Sequence, residues 1–189
     1  MPDAQVTSLV PDPLARIAEG LRPLAAPVDN LSPDPENANR GDVPAIRRSL
    51  NAFGQRKPVV VKRTGTDGQG RPTGIVIAGN HTYLAAVELG WPQIAAIFTD
   101  DDAMTARAYA LADNRTGELA SWDMAQLVEH LGSLSRDEFD MSALGWTDAE
   151  LGRLLGTAPD LTAFKAYDES IAAGVKLIEC PECGHEFAP

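Results

Sequence analysis

The sequence predicts an α+β domain, followed by a helical section and a short cysteine-containing tail. Three observations predict this. Short strand-type runs alternate with helix-type segments up to about residue 120. The run Ile75-Val76-Ile77-Ala78-Gly79-Asn80-His81-Thr82-Tyr83-Leu84-Ala85-Ala86 changes from an extended to a helical pattern across a single glycine. Beyond residue 120 the periodic apolar positions are leucines at helical spacing, until the chain reaches Cys180 and Cys183.

Each element can be justified in order. Residues 1–23 are interrupted by prolines, carry one helix-compatible stretch at Leu14–Leu21, and read as a flexible N-terminal arm. Ala26–Leu31 reads as a first strand, and residues 32–41, rich in Pro, Asn and Asp, as a loop. A helix starts near Val43: Asp42 caps it, Pro44 is tolerated in its first turn, Ile46, Leu50 and Phe53 share one face, and Gly54 ends it. Pro58–Val61 is a buried strand, Thr64–Gly74 a glycine-rich hairpin loop, and Ile75–Ala78 the next strand. The helix after Gly79 buries Leu84, Ala85 and Leu89 and closes at Gly90. Gln93–Thr99 is a strand, and Asp100-Asp101-Asp102 supplies capping carboxylates for a helix from Ala103 to Arg115.

Further on, Ser121 can cap a helix carrying Leu127, Val128, Leu131 and Leu134. Thr147-Asp148-Ala149-Glu150 has capping-box spacing ahead of Leu151, Leu154 and Leu155. Val175–Ile178 is a strand candidate leading to the cysteines. The expected organisation is an arm (1–23), a main domain (24–120), a helical extension (121–156), a linker (157–174) and a tail (175–189). Trp91, Trp122 and Trp146 lie beside helix boundaries with apolar neighbours and read as packing residues.

The 189 residues suffice for one good core with appendages, and 44% hydrophobic and 23% charged residues are ordinary for a globular protein. No apolar run is long enough to span a bilayer, and Met1–Gln5 lacks a basic region leading into an apolar one, so a cytoplasmic location away from membranes is expected. Cys180 and Cys183 are too close together to form the disulfide framework of a secreted protein.

The net charge of -11 is unevenly placed: residues 1–99 carry 10 Lys/Arg against 9 Asp/Glu, and residues 100–189 carry 6 against 18. The acidic second half argues against indiscriminate DNA binding over the whole surface. The basic positions Arg47, Arg48, Arg56, Lys57, Lys62 and Arg63 have two readings, a face for phosphates or a solvated helix face and strand end.

The chemistry centres on two segments. A strand that breaks at Gly79 into a helix leaves first-turn N–H groups without intrahelical partners, and with the helix dipole they suit a phosphate or carboxylate. Downstream, Asp113-Asn114-Arg115 offers a carboxylate, an amide and a guanidinium. A carboxylate at a helix C-terminus opposes the dipole, which is easier to understand if Asp113, with Asn114, holds Mg2+ carried with a phosphorylated ligand. The plainer reading is an exposed helix end. His81 reads as a phosphate ligand or general acid/base, or else as a surface histidine touching its own helix. Thr82 reads as a phosphate donor or early-helix cap, and Asn80 as a ligand or cap. Cys180-Pro181-Glu182-Cys183-Gly184-His185 is similar to one half of a zinc knuckle. It reads as a degenerate Zn2+ ribbon, as a site completed by a second chain, or as a free dithiol.

Residues from about Val28 to Leu155 resemble the ParB/sulfiredoxin-like superfamily, and especially the small ParB-like ("ParB-like nuclease") domains of phage and mobile elements, often found beside DNA methyltransferases. The residues that carry the likeness are Leu31-Ser32-Pro33, Asn37-Ala38-Asn39-Arg40, Ser49-Leu50 to Phe53-Gly54, Lys57-Pro58-Val59-Val60-Val61, Ile77 to Gly90, Ala110 to Arg115, and Trp122-Asp123. The resemblance implies a small mixed β-sheet with packed helices. It implies nucleotide phosphates on Gly79, Asn80, His81 and Thr82, assisted by Arg40. It places Asp113 and Asn114 against Mg2+ or the triphosphate, with Arg115 beside them, and Phe53-Gly54-Gln55 near the base or ribose. In some kinase members an acid near Glu36 serves as base, which makes Glu36, with His81, a catalytic candidate.

Partition-type members carry Gly-Glu-Arg-Arg where this chain has Gly79-Asn80-His81-Thr82. Sulfiredoxins carry a catalytic cysteine at the place of Asn80, so sulfinic acid reduction through that thiol is excluded. The implied function is nucleotide binding (CTP or ATP/ADP) with Mg2+, with or without weak NTPase activity, in phage or plasmid DNA metabolism such as partition. DNA, a DNA-processing protein and a second copy of the chain are the expected partners. Two alternatives stand beside it. One is a metal-dependent nuclease using Asp113 with Glu36 or Glu118. The other is a non-catalytic adaptor recruiting a methyltransferase or terminase.

Overall fold

A computed structural model describes residues 12–157 and, beyond them, the backbone of two short strands at 178–179 and 186–187. Strands β1 (Ala25–Pro27), β2 (Leu31–Pro33), β3 (Val59–Thr66), β4 (Pro72–Ala78) and β5 (Gln93–Thr99) form one mixed sheet in the order β1-β5-β3-β4-β2. β3 runs antiparallel to β4 and parallel to β5, β1 pairs antiparallel with β5, and β2 pairs parallel with β4. The helices are α1 (Val43–Phe53), α2 (Asn80–Glu88), α3 (Ala103–Glu118), α4 (Met124–Arg136) and α5 (Asp148–Leu154). No described helix is long and apolar enough to cross a membrane.

The single strand expected at Ala26–Leu31 is two strands on opposite edges of the sheet, joined by the 3-10 segment Val28–Asn30. Laid flat, four inter-strand spacings would separate those edges by ~19 Å. The four residue steps from Pro27 to Leu31 reach at most about 14 Å. The sheet therefore has to curl until its edges face each other. The core that fills the curl includes Val28, Leu31, Leu50, Val59, Val61 and Ile94. The Tyr83 hydroxyl donates to the Leu31 carbonyl at 2.7 Å, which ties α2 to β2; burial pushes the phenol pKa up.

From residue 12 the expected arm is fastened. Ile17 is 2% exposed and bridges to Gln55, and the 3-10 segment Glu19–Leu24 leads directly into β1. Residues 1–11 lie outside the described part. A buried isoleucine in a proline-interrupted stretch gives no periodic signal, which is why the anchor was invisible in the sequence.

The β3–β4 hairpin is longer than expected and its turn is confined to Asp67–Arg71. The Asp67 carboxylate holds the turn: it accepts from Asn30 Nδ2, from the Gln69 and Arg71 amides, and from Arg71 Nε, at 2.7–2.9 Å. These donors, with the Asn30 amide the largest influence, hold the carboxyl well below the usual carboxylate range. A depressed folded-state pKa contributes stability above the unfolded value, and that stability is lost as pH falls toward the folded one. Asp67→Asn is therefore expected to lower the thermal midpoint at neutral pH, with the difference from the parent protein shrinking in strong acid. A difference independent of pH would show that the carboxylate charge is not what holds the turn.

α3 runs through Glu118, three residues past the expected end. The Thr116 hydroxyl bonds back to the Ala112 and Asp113 carbonyls, and Arg115 pairs with Glu118 at 3.0 Å. Asp113 thus sits inside the helix, and the dipole argument for its binding a cation falls away, because that effect is confined to the last turn. The cap of α4 is Asp123, which accepts from the Ala125 and Gln126 amides, and not Ser121. The capping box of α5 forms as expected between Thr147 and Glu150.

α4, α5 and the 3-10 segment Met141–Leu144 enclose a second small core of Leu127, Leu131 and Leu151. That unit is tied to α1 by Phe139 stacked on Phe53 at 5.8 Å and by Arg48 Nε donating to the Ser142 carbonyl. Trp91 belongs to the main core. Trp146 packs against the second core, with Trp122 beside it at 5.7 Å but 67% exposed. β6 (Ile178–Glu179) and β7 (Glu186–Phe187) pair antiparallel. Cys180 and Cys183, and the linker expected at 157–174 beyond residue 157, lie outside the described residues.

Candidate functional site

The chain leaves β4 at Ala78 and turns through Gly79, whose φ of 83° is left-handed backbone. Gly79 is the N-cap of α2, and no side chain caps the helix. The first-turn N–H groups of Asn80, His81 and Thr82 therefore keep their orphan character. They open on a cavity of about 190 Å3 whose lining includes Gly79, Asn80, His81, Thr82, Asp113 and Asn114, together with Asn37 and Ile46. Thus α3, arriving from a distant part of the chain, brings Asp113 and Asn114 to the same cavity as the α2 turn.

Two larger cavities adjoin this one. The first, about 570 Å3, lies between the 34–40 loop and α3 and shares Asn37 and Asn114 with the turn cavity. Arg40, Arg107 and Arg115 line it, as do Glu36 and Glu118. The second, about 350 Å3, shares Ile46 and Thr82 with the turn cavity and is walled by Leu50, Phe53, Gly54, Arg56 and Lys57. The first chamber is thus walled by guanidinium groups and carboxylates, and the second sets the apolar side chains of Leu50 and Phe53 beside the cationic Arg56 and Lys57, with the helix N-terminus between the two.

Several expected ligand residues already have protein partners. Asn80 is 6% exposed and its Oδ1 accepts from the Asp34 amide at 2.8 Å. His81 Nε2 accepts from the Gly41 amide at 2.9 Å, so the neutral ring carries its proton on Nδ1. The imidazole lies against Gly41, where a Cβ would come within 2.8 Å of Nδ1. Asn114 Nδ2 donates to the Ala110 carbonyl, and its Oδ1 accepts from Asn39 Nδ2 at 2.5 Å. Arg40 folds onto the carbonyls of Asn37 and Asn39 in its own loop. Glu36 forms an ion pair with Arg107. It lines the large cavity, not the turn cavity, so the two catalytic candidates Glu36 and His81 do not share a chamber.

Gln55 lines the second cavity, but its amide is already engaged by the backbone. It is 1% exposed, its Nε2 donates to the carbonyls of Lys57 and Ala95, and its Oε1 accepts from the Ala95 amide at 2.7 Å. The sequence reading missed this role, and it also missed Arg107. Arg107 lies seven residues before Asn114, on the same helical face, and that spacing was the only available signal.

Among the described residues no group of three or more His, Cys, Asp or Glu side chains is placed to hold a metal ion. Asp113, with the remaining lone pair on Asn114 Oδ1, fits an ion that brings phosphate oxygens with it, since Mg2+ commonly takes one or two protein oxygens and fills its sphere with phosphate and water. The Zn2+ ligands proposed at Cys180 and Cys183 lie outside the described residues.

A curled mixed sheet flanked by helices, with an uncapped strand–glycine–helix turn opening on a cavity, defines the class of domain. The comparisons then give the particular fold. No family model and no curated protein matches the chain. Among solved structures, a C-terminally truncated chromosome-partitioning protein ParB from Caulobacter crescentus, complexed with CTP-γ-S, is similar over 72% of this chain and 79% of its own, at 17% identity and a TM-score of 0.57. The same protein on its centromeric parS site gives 15% identity over 71% and 65%, TM-score 0.38. A sulfiredoxin from Arabidopsis thaliana gives 22% over 46% and 93%, TM-score 0.34. The chain has the ParB/sulfiredoxin-like fold, and the first of these likenesses carries that statement.

Proposed function

We propose that this domain binds a nucleotide with its phosphates on the Gly79–Thr82 turn. The observation that carries the reading is the single cavity shared by the uncapped α2 turn with Asp113 and Asn114, set between two chambers of contrasting chemistry. A base or ribose suits the apolar wall of Leu50, Phe53 and Gly54, whereas a polyphosphate tail suits the arginine-lined chamber. Asp113 and Asn114 would hold a Mg2+ ion carried with the phosphates, which would offset the phosphate charge there. The fold shared with a ParB solved with CTP-γ-S supports a nucleotide, with CTP, ATP and ADP the candidates. A setting in phage or plasmid DNA metabolism, with DNA or a DNA-processing protein as partner, follows from the sequence resemblance. Binding is better supported than hydrolysis, because Glu36 faces Arg107 and His81 Nε2 faces Gly41.

The test is a thermal-shift panel of CTP, ATP and ADP with and without Mg2+. At a hundredfold excess over Kd, an upward shift of about 5–10 °C is expected for a domain of this size. Asp113→Ala should remove the Mg2+-dependent part. No shift with any of the three nucleotides would sink the proposal.

A nuclease is less well served, since Glu36 and Glu118, the partners Asp113 would need, are each paired with an arginine. The adaptor reading is favoured by one observation. Met104, Leu111, Leu119 and Trp122, on α3 and just beyond it, are 58–81% exposed. Co-purification of a DNA-processing protein, undisturbed by His81→Ala, would support it.

A further inference from the structure

All three arginines lining the large cavity are engaged by the protein itself. Arg40 is folded onto loop carbonyls, Arg115 pairs with Glu118, and Arg107 pairs with Glu36. The pairs differ in kind. Arg115 and Glu118 are neighbours on one helix, but Arg107 and Glu36 join α3 to a loop 71 positions away. Arg107 and Asn114 stand two helical turns apart on one face, a rise of about 10 Å, with Ala110 between them leaving room. A single phosphate on the α2 turn, beside Asn114, therefore occupies the turn cavity, which Arg107 does not line. The end of a phosphate chain extended along α3 approaches it.

We infer that Arg107 is an anchor for the distal phosphates of a polyphosphate chain, and that Glu36 is the built-in competitor holding that guanidinium until such a chain arrives. This rests on the reading of the Gly79 turn as the proximal phosphate site. Both side chains of the pair are about two-thirds exposed, at 67% and 68%, so the pair is held in solvent. Solvent-exposed carboxylate–guanidinium pairs are weak, whereas phosphate groups offer Arg more negative charge and bidentate geometry. Exchange of one anion for the other is thus favourable. The consequence is discrimination by tail length: a chain reaching Arg107 gains an anchor, and a short one gains nothing. Glu36 is then a specificity-determining residue and not a general base.

Isothermal titration with inorganic tripolyphosphate and with monophosphate tests this without requiring any nucleoside. Glu36→Gln removes the competitor's charge and should tighten tripolyphosphate binding by about two- to fivefold, the range of one exposed ion pair, while leaving monophosphate unchanged. Arg107→Gln should weaken tripolyphosphate selectively. In Glu36→Gln/Arg107→Gln the gain from the first change should vanish. Equal effects of Glu36→Gln on both probes would overturn the inference, reducing Glu36 to general charge repulsion. A gain that persists in the double variant would overturn it as well. Tripolyphosphate binding with this pattern but no response to CTP, ATP or ADP would uphold the inference and defeat the nucleotide reading alone.

Discussion

Gln55→Leu is expected to lower the thermal midpoint by about 10 °C while leaving the volume of the side chain nearly filled. The reason lies in the sheet. β3 joins β5 where Val59 pairs with Ala96, and the preceding residue, Pro58, has no N–H to offer. The Gln55 amide occupies the next rung: its oxygen accepts from the Ala95 N–H and its nitrogen donates to the Ala95 carbonyl. A leucine leaves both Ala95 groups and the Lys57 carbonyl without their partner. A buried group stranded in this way costs about 1–3 kcal/mol, so the three together remove about 3 kcal/mol or more. Chemical denaturation measures this directly. If Gln55 instead touched the base, as the resemblance implied, Q55L would keep its stability and lose nucleotide affinity. That outcome would refute the structural role.

Gly79→Ala is the second large effect, and it acts on fold and site together. An alanine at φ 83° carries the left-handed penalty of about 1–2 kcal/mol. Its Cβ would also stand 2.9 Å from Val59 Cγ1, a side chain 1% exposed in the core. Making room there costs about 1–3 kcal/mol more, so a total loss of about 2–5 kcal/mol is expected. The turn that aims the N–H groups of residues 80–82 has to shift as well, and nucleotide affinity should fall by more than tenfold. That figure is about 1.4 kcal/mol of binding energy. Denaturant melts and the thermal-shift panel on the same preparation read both effects. A variant as stable as the parent would show that the turn tolerates a Cβ and does not require glycine.

The elements that were legible share one property: their signals are local. α1 was bounded by Asp42, Pro44 and Gly54, and the structure gives Val43–Phe53 with the Asp42 carboxylate accepting from Ala45 N. β5 was placed at Gln93–Thr99 and found there. The Thr147–Glu150 capping box formed as its spacing required. The misreadings came where a partner distant in sequence decided the outcome. Ala26–Leu31 was split because its halves pair with β5 and β4 on opposite edges. Ile17 was fixed by Gln55, and Asp67 shortened a loop by recruiting Asn30 and Arg71.

The candidate site divides in the same way. The residues from Gly79 to Thr82 and the pair Asp113–Asn114 could be marked from their chemistry and pattern. Which of them already hold protein partners could not, because Asn80 with Asp34, His81 with Gly41 and Asn39 with Asn114 are bonds across 40 to 75 positions. By itself, then, the sequence determined the α+β class, the caps of α1, α3 and α5 and the glycine-led turn, since capping, periodicity and left-handed backbone act over a few residues. Only the tertiary structure decided that α3 closes the turn into a cavity, that Gln55 is a rung of the sheet, and that Glu36 sits on Arg107. Those pairings depend on the curl of the sheet, which exists only when strands far apart in the chain have found their neighbours.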